Sequence, residues 1–152
     1  QGLSISCGIA AGAKLDGKDY KVYCIVGDGE IAEGQIWEAA MAASFYKLDN
    51  LVGILDCNKI QATGPIVERF DTNPLKEKWM AFGWHVIEID GHDIEQVITA
   101  LDQADKVTGK PTMIIAHTVK GKGIPFAENN AAFHNGIMTE EQYETALKGF
   151  MD

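Results

Sequence analysis

Tyr20-Lys21-Val22-Tyr23-Cys24-Ile25-Val26-Gly27-Asp28-Gly29-Glu30 carries an apolar run straight into a carboxylate held between two glycines. A second apolar run, Leu51 to Cys57, ends in Asn58-Lys59-Ile60. Near-continuous apolar runs of this length predict strands buried on both faces, as in a parallel sheet. Between Gly29 and Asn58 lie 28 residues, enough for one helix and one strand, so the two runs read as parallel neighbours joined by a helical crossover. Asp28 and Asn58 then stand at the carboxyl ends of strands, the edge at which open α/β sheets bind ligands.

Those residue types at that edge point to a divalent metal and a diphosphate. Mg²⁺ takes oxygen ligands in near-octahedral geometry and commonly needs only one or two protein groups beside phosphate oxygens and water. Asp28 supplies the charge and Asn58 a neutral carbonyl oxygen. Gly27 and Gly29 are expected to take positive φ and bring backbone N–H groups close to phosphate oxygens. No Gly-x-Gly-x-x-Gly follows the first strand, which argues against a dinucleotide-binding domain.

Outward from this core the chain reads as alternating helices and strands, an α/β class with a parallel sheet flanked by helices, and residues 1–152 as one domain. Leu3 to Leu15, rich in Ala and Gly, predicts a helix packed closely on a neighbour. Glu33 to Lys47 predicts the helix behind the metal turn, with Ile36, Trp37 and Met41 as its large contacts. Gln61 to Asn73 holds Gly64-Pro65 and no helical period, so it reads as a loop over the site. Pro74 opens a helix towards Phe82, Trp84 to Asp90 predicts a third strand, and Asp93 caps a helix from Ile94 to Lys106 with Val97, Ile98 and Leu101 on one face. Pro111 to His117 is the fourth strand. Thr118 to Ile137 is long and glycine-marked, and a loop of that length in a compact domain is commonly functional. Thr139 with Gln142 forms the capping box of a last helix ending near Gly149. His85 and His92 read as structural.

A formal charge of −9 argues against nucleic acid, which needs a basic surface. No apolar stretch approaches the 18 or so residues of a membrane span. Cys7, Cys24 and Cys57 form no close pair, and an odd count of thiols among small and apolar residues predicts reduced, buried cysteines in a cytoplasmic protein.

The Gly-Asp-Gly to Asn spacing resembles the thiamine diphosphate motif. The wording around it, GDGEIAEGQIWEAAMAAS over residues 27–44 and HTVKGKG over residues 117–123, resembles transketolase in particular, over essentially the whole chain. The resemblance implies thiamine diphosphate with Mg²⁺ (Ca²⁺ or Mn²⁺ as substitutes), the metal held by Asp28, Asn58 and the carbonyl of Ile60. It places Gly27, Asp28, Gly29, Glu30, Asn58, Ile60 and His134 around the cofactor, and it makes His134 the catalytic histidine that reaches diphosphate and substrate. The family's His-Gly is here His134-Asn135-Gly136, and Ala62 stands where many relatives have a larger aliphatic residue. His117, Lys120 and Lys122 are secondary candidates.

By the same resemblance the Glu33 to Lys47 helix self-associates, with Glu33 and Glu38 at the interface joining two active sites. The implied reaction moves a two-carbon glycolaldehyde unit from a ketose phosphate to an aldose phosphate in the pentose phosphate pathway. Gln1-Gly2-Leu3-Ser4 resembles the tail of a family segment, so roughly a hundred residues are expected upstream. The glutamate that activates the aminopyrimidine has no counterpart here, so the isolated chain is expected to be inactive and to need a C-terminal pyrimidine-binding subunit, in a heterotetramer. A deoxyxylulose-phosphate synthase-like enzyme, a transketolase relative acting on other sugars, and a non-catalytic assembly subunit stand as alternatives.

Overall fold

A computed structural model describes residues 1–150. In chain order the elements are α1 (Gly2–Leu15), β1 (Val22–Gly27), a 3₁₀ turn (Glu30–Ala32), α2 (Gly34–Phe45) and β2 (Leu51–Cys57). A small hairpin follows, β3 (Ile60–Gln61) and β4 (Gly64–Pro65), then the single turn α3 (Ile66–Arg69), α4 (Leu75–Ala81) and β5 (His85–Asp90). The chain closes with α5 (Ile94–Lys106), β6 (Thr112–His117), a second 3₁₀ turn (Ala131–Phe133) and α6 (Glu140–Gly149).

The sheet is β1-β2-β6-β5, parallel throughout. Its register sets Gly27 opposite Asp56, and Cys57 opposite His117. The ends that bear Asp28, Asn58 and Thr118 therefore emerge on one edge, each a residue past its strand. Two apolar layers hold the sheet. On one face Val22, Val26, Leu51, Leu55 and Ile115 pack with α1, α2 and α4. Trp79, fully buried, stands 5.0 Å from both Trp37 and Trp84 between ring centroids. On the other face Val52, Ile114 and Ala116 meet Ala100, Ala104, Val97 and Leu101 of α5.

The helix starts use the caps their sequence offers. Asp93 accepts the N–H groups of Glu95 and Gln96 at the head of α5, and Thr139 and Gln142 form a reciprocal capping box at the head of α6. Each satisfies donors that the first turn leaves without an intrahelical acceptor.

Several expectations are corrected. β1 is not buried on both faces: it is an edge strand whose residues alternate, with Tyr23 and Ile25 48% and 73% exposed. An apolar run cannot distinguish a covered face from one that nothing in the described chain covers. Met41 and Ile98 point outward as well, because the buried arcs of their helices run through Ile36, Ala39, Ala40 and Ala43, and through Val97, Ala100, Leu101 and Ala104. Gly8 and Gly12 of α1 face open space, and its packing runs instead through Leu3, Ser6, Ala10 and Ala13. The stretch expected to be only loop after Gln61 holds the β3–β4 hairpin and α3. Cys24 and Cys57 are buried, Cys7 is half-buried, and all three thiols are free; burial pushes the Cys7 and Cys57 thiols up to about 11. Among the described residues no helix is long and apolar enough to cross a membrane.

Candidate functional site

The chain leaves β1 at Asp28, whose side chain is 3% exposed. Its carboxylate accepts the Lys59 backbone N–H at 2.5 Å, and its own N–H donates to Asp56 O at 3.2 Å. The two strand ends are thus tied to each other by one main-chain bond and one bond from main chain to the Asp28 side chain. Burial pushes the Asp28 carboxyl above its ordinary value, and the backbone N–H groups of Lys59 and Gly29 partly offset this. Among the described residues it forms no ion pair. A buried carboxylate served only by amide dipoles is a site at which an incoming cation gains most.

Asn58, 9% exposed, follows β2. Its Oδ1 accepts the Ile60 N–H at 3.0 Å and its Nδ2 donates to Asp56 at 3.1 Å. Lys59 between them has φ +67°, a left-handed conformation that costs a side-chain-bearing residue of the order of 1–2 kcal/mol. That turn aims the Lys59 N–H at Asp28 and brings Ile60 back to Asn58.

Gly27, Asp28, Gly29, Glu30, Asn58, Ile60 and His134 all line one cavity of about 380 Å³, together with Gln61 and Ala62. The long loop after β6 therefore returns His134, from the end of the second 3₁₀ turn, to residues a hundred positions earlier. Gly121 makes this loop's path possible: its φ is +74°, and a Cβ there would meet the Ala127 backbone at less than van der Waals contact. The two glycines flanking Asp28 act differently from expectation. Neither has positive φ, and Gly29 is helical at −74°, −33°. A Cβ on Gly29 would instead crowd Gln61 at 3.0 Å, so its role is close approach. Glu30 Oε2 accepts the Gly27 N–H at 3.2 Å.

Among the described residues no three His, Cys, Asp or Glu side chains gather to hold a metal. The donor set of one carboxylate and neutral oxygens suits a hard cation that brings phosphate oxygens with it, so the residues fit the metal–diphosphate pair. Glu33, which precedes α2, and Glu38 on α2 are exposed, away from the cavity. Lys122 lies 4.0 Å from Glu128 in its own loop, and Lys120 does not line the cavity. His92 accepts the Val119 N–H at 2.8 Å, pinning the start of the loop.

Comparison with known proteins decides the family. The profile described as "Transketolase, thiamine diphosphate binding domain" matches residues 9–150.

The chain belongs to the transketolase family.

Its thiamine diphosphate-binding fold is that of solved transketolases: the transketolase of Campylobacter jejuni superposes with a TM-score of 0.91 at 36% identity, covering 97% of this chain and 24% of that one. Among curated relatives, one of the subunits of the apulose-4-phosphate transketolase of Phocaeicola vulgatus is 46% identical over 97% of this chain and 52% of its own length. The 6-deoxy-6-sulfo-D-fructose transketolase subunit SqwG of a Clostridium species is also 46% identical, over 97% of this chain and 54% of its own. The chain thus spans about half the length of these two curated relatives.

Two features around the candidate site escaped the sequence reading. Asp56, two residues before Asn58, accepts both the Asn58 amide and the Thr118 hydroxyl. The only sequence signal was an Asp-x-Asn at a strand end, a pattern that local turns share. Beside it, Asp28 also borders a larger cavity of about 580 Å³ whose rim carries Lys76, Glu88 and His117. There Lys76 sits 2.8 Å from Glu88 and holds the Glu88 carboxyl below its ordinary value. These three residues come from separate elements, and no spacing in the sequence joins them.

Proposed function

We propose that this chain is the diphosphate- and Mg²⁺-holding part of a two-polypeptide transketolase, acting with a C-terminal subunit that supplies the pyrimidine site. The observation that carries the reading is the meeting of Asp28, Asn58, Gly29 and His134 at one cavity on the carboxyl edge of the sheet. Two relatives that match over 97% of the chain are named as transketolase subunits, which supports the split form.

In this reading Asp28, Asn58 and the Ile60 carbonyl hold the cation, and Ca²⁺ or Mn²⁺ can replace Mg²⁺. The Gly29 N–H would serve the diphosphate, at a position where a side chain would crowd Gln61. When bound, thiamine diphosphate supplies the carbanion chemistry by which a ketose C–C bond is cleaved and a two-carbon unit passed on. His134, at the cavity wall, holds or delivers a proton at the substrate oxygen. Glu33 at the head of α2 and Glu38 on it, both exposed, stand ready for a second copy of the chain. Met41 and Phe45, 54% and 78% exposed on the same helix, add apolar area to that face.

The donor is a ketose phosphate and the acceptor an aldose phosphate, with the pentose phosphate sugars as the first pair to assay. A second group of substrates, in which a sulfonate can stand for the phosphate, has support in the relatives' names, one for apulose-4-phosphate and the other for 6-deoxy-6-sulfo-D-fructose. The test is a two-carbon transfer assay on the parent protein, purified with and without its partner, against both substrate groups. Transfer only with the partner is expected; transfer by the parent protein without any partner would overturn the split form. Turnover of apulose-4-phosphate or sulfofructose and not of pentose phosphates would select the second group.

A further inference from the structure

We propose that Asp56 is a positioning residue for the cation site: its carboxylate fixes the orientation of the Asn58 amide and ties it to the start of the loop that carries His134. The inference rests on the metal reading of Asp28 and Asn58 given above.

Asp56 is the last but one residue of β2, and every polar group it has on this edge is engaged. Its backbone oxygen accepts the Asp28 N–H at 3.2 Å. One carboxylate oxygen accepts Asn58 Nδ2 at 3.1 Å, and the other accepts the Thr118 hydroxyl. Thr118 itself donates its N–H to Cys57 O at 3.2 Å. One residue therefore joins the ends of β1, β2 and β6, the last of which opens the loop that carries His134.

The consequence for Asn58 follows from its donor and acceptor inventory. A carboxamide has two ends of similar shape and opposite hydrogen-bonding character. With Nδ2 on the Asp56 carboxylate and Oδ1 on the Ile60 N–H, the flipped amide would set donor against donor at Ile60 and acceptor against acceptor at Asp56. Oδ1 keeps a second lone pair for a cation. Without Asp56, a largely buried NH₂ group loses its acceptor, and only the Ile60 N–H restrains the amide. Groups that orient a metal ligand in this way typically change metal affinity by about 10–100-fold when removed.

The test is calorimetric titration of Mg²⁺ into the full-length protein in its purified assembly, at saturating thiamine diphosphate, for wild type, Asp56→Ala, Asp56→Asn and Asn58→Ala. Asp56→Ala is expected to weaken Mg²⁺ by about 10–100-fold. Asp56→Asn should largely restore affinity, because its Oδ1 still accepts from Asn58 while its NH₂ donates to the Thr118 oxygen. In the Asn58→Ala background Asp56→Ala should add little, since residues acting through one another are non-additive. A role confined to holding the strand ends together would add its full effect in both backgrounds and overturn the proposal, as would unchanged affinity in Asp56→Ala. A loss in Asp56→Asn as large as in Asp56→Ala would also overturn it, pointing to the negative charge itself. Should Asp56→Ala not fold, Thr118→Val leaves both Asp56 and Asn58 in place, and about tenfold weaker Mg²⁺ is expected; no change there refutes the anchoring. Failure of wild type to bind Mg²⁺ with thiamine diphosphate would instead remove the underlying metal reading.

Discussion

Asp28→Ala is expected to weaken Mg²⁺-dependent thiamine diphosphate binding by at least about 100-fold while leaving the fold intact. Asp28 is the one buried carboxylate lining the cavity, 3% exposed, whereas Glu30 lies exposed with an oxygen on the Gly27 N–H. Two unit charges 4 Å apart at an effective dielectric of about 20 attract by roughly 4 kcal/mol. A divalent ion in direct contact gains no less, and each 1.4 kcal/mol or so is a factor of ten in affinity. The effect on the fold is a small difference of opposing contributions. Burial raises the Asp28 carboxyl above its ordinary value, so removing it relieves a desolvated charge. Against this, the Lys59 N–H loses its acceptor, a cost of about 1–3 kcal/mol if that group stays dry. Titration of the variant alongside circular dichroism checks both halves, and unaltered affinity would refute the metal assignment.

His134→Ala is expected to lower kcat by about 10²–10⁴-fold, the usual contribution of a positioned general acid or base, with the cofactor Kd within a few-fold of wild type. The separation of the two effects comes from placement. His134 closes the second 3₁₀ turn and reaches the cavity from the loop, while the groups that would carry the cation come from the ends of β1 and β2. The loop's path is set elsewhere, by Gly121 against Ala127 and by the His92 bond to the Val119 N–H, so truncating the imidazole should leave it in place. Steady-state kinetics with a cofactor titration on the same preparation decides the matter. Unchanged turnover would retire the role, and loss of cofactor binding at unchanged turnover per bound cofactor would make His134 a binding residue instead.

The order of elements was legible because each carried its own period and punctuation. Three apolar runs and one alternating stretch became four parallel strands, Asp93 capped α5, and Thr139 with Gln142 capped α6. What stayed hidden depends on partners distant in sequence. Tyr23 and Ile25 are as apolar as the rest of β1, but only the tertiary arrangement shows that α5 covers β2, β6 and β5 and stops short of them. The left-handed residue of the turn after β2 is Lys59 and not the asparagine before it, so residue type does not announce it. Glycines drew attention at positions 27 and 29 for a φ that neither adopts, whereas Gly121, where φ is positive and space is lacking, stood unmarked among other loop glycines. At the site itself the Asp28 and Asn58 pairing could be read from spacing, since both follow strands. The Asp56 to Thr118 bond could not, because it joins residues 62 positions apart.

The most direct test of the account is calorimetric titration of thiamine diphosphate into the wild-type parent protein, together with its partner, in the presence of Mg²⁺ and after its removal by chelation. Saturable binding that requires Mg²⁺, and returns with Mn²⁺ or Ca²⁺, is the predicted result. Binding of equal strength with and without divalent metal, or no binding in either condition, would contradict the assignment of Asp28 and Asn58 as the site that holds the diphosphate through a cation.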